Sequence, residues 1–323
     1  MNNDLYNAAH QSAVWRDMSH FGRFRVAGAD GGQLLHHLTT NDIKGLRPDT
    51  GCDAALVSSK ARLLDLLTVF RQSDGYLVIA SPNRRAMFKP HAQQFILFRQ
   101  DVRVEDITEA TALFGVFGPQ AQRVLETVGI APDDSLNGVQ MFDAAGASVF
   151  IARTRRLPLP GFLLWSEHKE KLAQLVQKSG APLCDNETYN LLRIEAGIPV
   201  AGLELNEEIN PWEANLNEEV SLHKGCYNGQ EVVARLNTYK KVKQRLRGLK
   251  LEKPLPLPMG ERVSLLAGER AAGFITSSTV SPRFGAIALA YVRGDYSAAG
   301  QQLQLTWNNE AQMATVVDLP FAH

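Results

Sequence analysis

Apolar and polar positions in the first half of the chain follow a pattern that predicts strands leading into helices. One predicted strand, residues 24–26, ends at Gly28, and Asp30 is placed to cap a helix whose apolar stripe begins at Leu34. Gly118, ninety residues further on, stands in a similar strand–glycine–helix sequence. Such joints occur in many folds, so two interpretations stay open: a pair of similar α+β units, or a coincidence.

Further strands and helices are predicted on either side of this second joint. Residues 63–70 and 76–80 form a predicted hairpin with a tight polar turn, and a helix is expected over about residues 84–98. Two more strands are predicted at residues 147–152 and 161–165. These elements indicate an α+β fold for the first half of the chain.

The last part of the chain has a different pattern of apolar and polar residues. A predicted helix at residues 186–198 is followed by a long polar stretch at residues 204–222, and irregular stretches of that length in compact proteins are usually functional. A proline–leucine segment at residues 253–259 then leads to short strands separated by glycine and Ser-Pro turns, which is the pattern of a small antiparallel β-barrel. The predicted domains are residues 1–110, 111–243 and 244–323.

Composition narrows the classes of function. The 323 residues include 34 basic and 34 acidic side chains, and a chain without a basic surplus is not expected to bind nucleic acid directly. No apolar run approaches the roughly 20 residues that cross a bilayer, so no membrane role is expected. The N-terminus lacks a signal sequence, and three cysteines without a CxxC pair favour a reducing compartment. We expect a cytoplasmic protein, or one of an organelle interior if the chain is a processed form.

The densest cluster of reactive side chains is Lys-Gly-Cys-Tyr-Asn-Gly-Gln-Glu at residues 224–231. Two glycines near Cys226 let a ligand approach closely, and Lys224 together with the start of a following helix favours the thiolate. The alternative for a free cysteine is a buried and unreactive thiol, which is what we predict for Cys52 and Cys184. Cys226 is therefore predicted to be exposed and catalytic, with Lys224 assisting it.

Residues 224–231 resemble the signature of the YgfZ family, a relative of the glycine-cleavage T-protein. Three further segments are similar to T-protein elements and occur in the same order: residues 40–42, 192–199 and 273–282. The resemblance implies a T-protein-like three-domain arrangement, with two α+β units around a central folate channel and a small C-terminal antiparallel β-barrel. The implied cofactor is tetrahydrofolate or a derivative.

The resemblance also implies a role in iron–sulfur cluster assembly or repair. The implied partners are iron–sulfur proteins or cluster-assembly factors, with an indirect link to tRNA modification. Because a cluster usually takes four thiolate ligands, Cys226 alone cannot hold one. No metal site is predicted within the chain. Cys226 is a candidate cluster contact whose fellow ligands come from a partner, a second copy or a small thiol.

The predicted cofactor-binding residues are Phe21, Tyr189, Glu195, Tyr227, Gln230 and Glu231. Glu195 matches the glutamate that contacts the pterin in relatives. Because it lies on an apolar helix stripe, its carboxylate either pairs with pterin NH groups, pairs with an arginine or extends out to solvent. Phe21 and Tyr189 are either rings that stack on the folate or ordinary core aromatics. A basic run at residues 240–247 is either a solvated strand edge or a contact for a folate polyglutamate tail or an acidic partner.

One position departs from the T-protein. The aspartate that the T-protein uses near the folate N5 aligns with Met87, which cannot act as an acid or base, and residues 153–158 lack the expected glycine- and acid-rich stretch. The leading hypothesis is a tetrahydrofolate-binding accessory protein for iron–sulfur clusters that acts through Cys226. One alternative is a folate-dependent one-carbon (aminomethyl or methyl) transferase, which needs a carboxylate roughly 2.6–3.2 Å from N5. The other is a non-catalytic folate-binding regulatory scaffold, in which Cys226 is unreactive.

Overall fold

The computed structural model describes residues 3–239 and 242–322, and the chain divides into two compact units. The first unit consists of Met1–Leu56, Asp65–Tyr189 and Ser221–Asn228, and the second of Val57–Leu64, Asn190–Val220 and Gly229–His323. The predicted boundary between residues 110 and 111 falls within the first unit. Lys240 and Lys241, which begin the predicted basic run, lie outside the described residues.

Helices and strands are interspersed up to residue 195. In chain order they are α1 (Asn3–Gln11), β1 (Val14–Asp17), β2 (Gly22–Ala27), α2 (Gly31–Leu38), β3 (Thr50–Val57), β4 (Leu63–Gln72), β5 (Gly75–Ala80), α3 (Arg85–Gln93), β6 (Arg103–Asp106), β7 (Ala112–Phe117), α4 (Ala121–Glu126), β8 (Val139–Ala144), β9 (Ala147–Thr154), β10 (Gly161–Ser166), α5 (Lys169–Lys178) and α6 (Asn186–Glu195). After them come α7 (Gln230–Thr238), β11 (Gln244–Leu251), β12 (Val263–Ala267), β13 (Arg270–Ser281), β14 (Gly285–Arg293), β15 (Gln302–Trp307) and β16 (Glu310–Val317). This content confirms the predicted α+β class.

Two five-stranded sheets have the same strand order, which decides between the two interpretations of the glycine joints. One sheet runs β3-β4-β5-β2-β6 and the other β8-β9-β10-β7-β1, so each strand of the first has a counterpart in the second. The edge strand of the second sheet comes from the N-terminus, where Val14 pairs with Phe117. The central strands β7 and β10 are buried along their whole length, as expected for strands covered on both faces. The repeat is therefore real.

Glycine is required at both joints for the same steric reason. Gly28 has a φ of 101° and Gly118 a φ of 136°, values that side chains with a Cβ rarely adopt. A Cβ at Gly28 would lie 2.2 Å from the Asp101 carbonyl oxygen, and one at Gly118 would lie 2.5 Å from that of Ser12. The chain can leave each strand for the following helix only without a side chain there.

Two local predictions were wrong. Asp30 precedes α2 but gives the helix no capping hydrogen bond, because its Oδ2 accepts one from the backbone N–H of Asp101 at 2.9 Å. The helix expected at residues 84–98 is α3, which ends at Gln93. Beyond it, the N–H groups of Phe95 and Ile96 donate to carbonyls three residues back, so the chain tightens into turns. The β4–β5 hairpin, in contrast, is confirmed.

The C-terminal strands close into a barrel of order β11-β14-β13-β12-β15-β16, all antiparallel. Closure removes exposed strand edges, and apolar side chains from each strand fill the interior. The fully buried ones include Leu249, Leu265, Ile275, Leu303 and Val316. This confirms the predicted β-barrel. No helix within residues 3–239 and 242–322 is long and apolar enough to cross a membrane.

Candidate functional site

Lys224 anchors the predicted motif within the first unit. Its Nζ donates hydrogen bonds to the backbone carbonyl oxygens of His36 at 2.6 Å, Thr39 at 2.6 Å and Asn41 at 2.7 Å. These carbonyls lie at the C-terminal end of α2 and just beyond it, where helix carbonyls lack intrahelical partners and attract a cation. One buried ammonium therefore satisfies three acceptors and fixes the motif on the end of α2.

Backbone hydrogen bonds hold the motif on both sides of this anchor. The Ser221 N–H donates to the Thr40 carbonyl and the Asn228 N–H donates to the His37 carbonyl, each at 2.9 Å. Cys226 lies between these two points and is exposed. The chain thus presents the thiol on a segment whose ends are both fixed.

Burial lowers the pKa of Lys224 to about 8, and the neighbouring Asp42 and Cys52 act in the opposite direction. The ammonium also lies 4.8 Å from the centre of the Tyr227 ring, which is itself buried, and burial raises the pKa of Tyr227 to about 12. The Lys224 ammonium thus donates to three carbonyl oxygens, and the buried Tyr227 ring packs against it. The geometry makes Lys224 an anchor; its assistance to the Cys226 thiol and the folate contact of Tyr227 stay predictions.

The three cysteines have different surroundings. Cys184 is buried and Cys52 half-buried, and burial raises the pKa of each thiol to about 12. Both thiols therefore stay protonated near neutral pH, and a protonated thiol is a poor nucleophile and metal ligand. The predicted exposure of Cys226 is confirmed.

His36 is a neighbour of the motif that the sequence did not reveal. Its side chain is almost fully buried, with Nδ1 3.3 Å from Asp42 Oδ1, and its Nε2 faces Gly225, where an added Cβ would lie 3.4 Å away. Burial and the charge of Lys224 lower the pKa of His36. The contact of His36 with a segment almost 190 residues further along the chain leaves no signal in the local sequence.

The two predicted aromatic contacts lie in the first unit. Phe21 is half-buried in the turn before β2, where the buried Arg23 donates to its carbonyl oxygen at 2.7 Å and His20 meets its ring edge. The Arg16 guanidinium lies 4.2 Å from the centre of the Tyr189 ring. A stacked cation therefore already occupies one face of Tyr189.

Three predicted cofactor contacts belong to the second unit. Glu195 ends α6 and is almost fully buried, and its Oε1 accepts a 2.5 Å hydrogen bond from the Ser281 hydroxyl. Gln230 and Glu231 begin α7 directly after Gly229, whose φ is 79°; Gln230 is half-buried and Glu231 exposed. The structure therefore provides Glu195 with a hydroxyl partner, Ser281, and its contact with a pterin stays a prediction.

A buried ion pair in the second unit escaped the sequence analysis. Glu204 is fully buried and lies 3.2 Å from Arg193, and it accepts hydrogen bonds from Val200 N, Thr276 Oγ1 and Ser277 Oγ. These partners come from the segment after α6 and from β13. In the sequence, Glu204 lies in a polar, irregular stretch. The Thr276 and Ser277 hydroxyls that bind it are distant along the chain, and no local pattern predicts such contacts.

Two buried carboxylates in the first unit were also missed. Asp65 on β4 accepts from the backbone N–H groups of Leu66 at 2.8 Å and Ser81 at 2.9 Å, and burial raises its pKa. Asp53 on β3 accepts a 2.6 Å bond from the Thr68 hydroxyl, and burial raises its pKa as well. Met87, the aligned position of the T-protein aspartate, is half-buried on α3. A polar residue within a strongly apolar strand, such as Asp65, was the available signal.

Within the described part of the chain, no group of three or more histidine, cysteine, aspartate and glutamate side chains is arranged to hold a metal ion.

Comparison with known proteins gives the family. The sequence matches the profile of the GCVT N-terminal domain over residues 3–224 and that of the glycine cleavage T-protein C-terminal barrel domain over residues 244–322. An aminomethyltransferase of Saccharopolyspora erythraea is 30% identical over 98% of this chain and 88% of its own length. A putative chloroplastic transferase of Arabidopsis thaliana is 32% identical over 78% of this chain, and the match spans 59% of that relative's length.

A solved structure shows the same fold. The glycine cleavage system aminomethyltransferase T from Bartonella henselae superposes with a TM-score of 0.87 over 99% of this chain and 89% of that one, at 21% identity. The two profiles, which follow each other in the expected order and cover most of the sequence, show that the chain belongs to the glycine-cleavage T-protein (GCVT) family.

Proposed function

We propose that this protein is a tetrahydrofolate-binding accessory factor of the YgfZ type, which supports iron–sulfur cluster assembly or repair through Cys226. The observation that supports it most is the exposed thiol on a segment held by Lys224 and by backbone hydrogen bonds at Ser221 and Asn228. Holding both ends of the segment reduces the conformational freedom lost when the thiol meets a partner.

The cluster is the cargo, and the thiolate supplies one of its ligands. Because clusters usually take four thiolates and Cys52 and Cys184 are not exposed, the remaining ligands come from outside the chain. Iron–sulfur proteins or cluster-assembly factors are the proposed partners. The proposed link to tRNA modification is indirect, because it arises only through such partner iron–sulfur proteins.

The residues present fit a folate. Glu195 supplies an almost fully buried carboxylate, and a carboxylate is the kind of group that accepts hydrogen bonds from pterin NH groups. Tetrahydrofolate, when bound, carries one-carbon units and is a reductant. In this proposal Glu195 orients the ring, while Phe21, Tyr189, Tyr227, Gln230 and Glu231 stay predicted contacts.

A folate-dependent one-carbon transferase is the second candidate, favoured by the names of the relatives. It requires an acid or base beside the folate, and the half-buried Met87 supplies none. Turnover of an aminomethyl or methyl donor by the purified protein with tetrahydrofolate would establish this function instead.

The test is complementation in a host that lacks the native gene. Activities of several iron–sulfur enzymes are measured after restoring the wild type, Cys226→Ala, or Cys52→Ala as the matched control. We expect the wild type and Cys52→Ala to restore the activities and Cys226→Ala to fail at equal protein levels. Full restoration by Cys226→Ala, or activities that never fall in the deletion strain, would overturn the proposal. Folate binding is tested separately by calorimetry with 5-formyltetrahydrofolate.

A further inference from the structure

The loop between α3 and β6 carries an apolar tip, residues 95–98, with the sequence Phe-Ile-Leu-Phe. Phe95 and Ile96 are half-buried, whereas Leu97 is 68% exposed and Phe98 92% exposed. Single exposed apolar side chains are normal on soluble proteins, but a continuous apolar run at the surface marks an interaction site. The apolar tip is therefore a candidate contact for another molecule.

Hydrogen bonds within the loop fix the exposed end of the apolar tip. The Leu97 N–H donates to Gln100 Oε1 at 2.8 Å, and the Gln100 N–H donates to the Leu97 carbonyl oxygen at 3.1 Å. Arg99, the third residue of this turn, has a φ of 77°, which a residue with a Cβ rarely adopts. Its guanidinium carbon lies 5.6 Å from the centre of the Phe98 ring. Because the turn is already formed, little conformational freedom is lost when Phe98 is covered.

The apolar tip is a neighbour of the segment that presents Cys226. The Phe95 ring packs against His91 of α3 and His37 of α2, with ring centres 5.2 and 5.7 Å apart. The carbonyl oxygen of the same His37 accepts a hydrogen bond from the Asn228 N–H at 2.9 Å. Asn228 follows Cys226 by two residues, and two residues of chain span at most about 7 Å. His37 thus contacts both the apolar tip and the motif.

A partner that docks on the apolar tip has to cover neighbouring surface as well. A buried phenylalanine contributes about 150–250 Å² of contact, whereas a standard interface buries about 800 Å² on each partner. The neighbouring surface across His37 belongs to the segment Ser221–Asn228, which carries Cys226 and a further exposed apolar side chain, Leu222. An interface of ordinary size centred on the tip therefore extends toward the thiol.

The charge of the loop and of the helix before it indicates an acidic partner. Residues 75–100 include no aspartate or glutamate, and their lysine and arginine side chains are Arg84, Arg85, Lys89 and Arg99. Arg85 is paired with Asp106 and Glu109 at 2.8 and 2.6 Å. Arg99 lies at the apolar tip itself. Cations beside an apolar contact favour a partner that has carboxylates around its apolar pocket.

We propose that the apolar tip and the segment Ser221–Asn228 form the docking surface for a protein partner that has an apolar pocket rimmed by carboxylates and carries cluster-binding thiolates. This inference rests on the proposed function, in which Cys226 needs further thiolates from outside the chain. Leu97 and Phe98 enter the pocket, and docking brings the partner's thiolates to Cys226. An anionic membrane also accepts an apolar tip with basic neighbours, but a membrane supplies no thiolates. No bond is made or broken at the tip.

Complementation at two expression levels tests the docking surface. The variant is Phe98→Ala, and the matched control is Met141→Ala, whose side chain is 59% exposed on β8 of the same unit. At the native protein level we expect Phe98→Ala to restore iron–sulfur enzyme activities poorly, because loss of a central interface aromatic weakens binding about 30-fold. The control should restore them fully. Raising the level of Phe98→Ala by about 30-fold should recover the activities by mass action, whereas Cys226→Ala should fail at every level.

Two further measurements separate docking from the chemistry of the thiol. Cys226 of purified Phe98→Ala should react with iodoacetamide at the wild-type rate, and the thermal unfolding midpoint should not change, because Phe98 is exposed. With Phe98 replaced by the photoreactive p-benzoylphenylalanine, we expect crosslinks to an iron–sulfur protein or cluster-assembly factor, identified by mass spectrometry. Adding Lys89→Glu and Arg99→Glu should reduce the yield of the same crosslink, since both substitutions oppose the carboxylates of the partner.

The failures are distinguishable. If Phe98→Ala restores the activities at the native level as well as the wild type does, while Cys226→Ala fails, the inference is wrong and the proposed function stands. Crosslinks that join only two copies of this chain would assign the apolar tip to self-association and overturn the inference. Binding to vesicles of phosphatidylcholine and phosphatidylserine that Phe98→Ala abolishes would assign the tip to a membrane and overturn it as well. If Cys226→Ala restores the activities, the proposed function is wrong and the inference falls with it.

Discussion

Substitution of Glu204 by glutamine is the sharpest test of what holds the second unit together. The carboxylate is fully buried and accepts from Arg193 at 3.2 Å, Val200 N at 3.1 Å, Thr276 at 2.8 Å and Ser277 at 2.6 Å. Glutamine keeps the shape of the side chain. It replaces one acceptor by an amide NH₂ and removes the negative charge that balances Arg193.

The expected loss is large because Arg193 cannot reach water. Its side chain is 3% exposed, and removing one partner of a buried ion pair costs roughly 3–5 kcal/mol of stability. The matched control is Glu310→Gln in the same unit, since Glu310 pairs with Lys253 when both are largely exposed, at 71% and 60%. An exposed pair contributes about 0–1 kcal/mol, so the control should lose no more than that.

Urea unfolding followed by far-UV circular dichroism measures both losses. A third variant, Arg193→Met with Glu204→Gln, removes both charges and keeps the amide oxygen as an acceptor for Thr276 and Ser277. It should recover part of the loss, because no unpaired charge stays buried. If Glu204→Gln loses no more than Glu310→Gln, Arg193 has found another partner or water, and the reasoning from burial is refuted. If the double variant is the least stable of the three, the pair contributes through its geometry and not only through charge balance.

Two further predictions concern the motif. In iodoacetamide labelling of the folded protein at pH 7.5, we expect Cys226 to react first. Cys52 and Cys184, whose thiol pKa values are about 12, should react only upon unfolding. A second fast-reacting thiol, or a fast phase that survives Cys226→Ser, would contradict this. Lys224→Met leaves three carbonyl acceptors without their donor and should lower the free energy of unfolding by roughly 2–4 kcal/mol. The control Lys44→Met, at an exposed lysine, should change it by less than about 0.5 kcal/mol. Equal unfolding midpoints for the two variants would show that the anchor is dispensable.

Elements defined by neighbouring residues were predicted from the sequence. The β4–β5 hairpin follows from two apolar runs joined by a short polar turn, and Gly28 and Gly118 were each recognised at the end of a strand that leads into a helix. The N-terminal strand β1 could not be assigned to the second sheet, because Val14 pairs with Phe117, far along the chain. No local pattern records such a pairing.

The same limit applies to the site. The exposure of Cys226 was predicted from its glycine- and lysine-rich surroundings, which are properties of the nearby sequence. The Lys224 acceptors lie 183 to 188 residues earlier in the chain, so its role as an anchor emerged only from the fold. Glu195 shows the limit most clearly, because pattern reasoning recognised that its buried carboxylate needs a partner and could not name Ser281.

Asn41 shows how the site is coupled within the first unit. Its carbonyl oxygen accepts a hydrogen bond from Lys224, and its side-chain amide donates one to the carbonyl of Asp53 on β3. Because Lys224 bonds to the same residue, the segment that presents Cys226 is connected to β3 through Asn41.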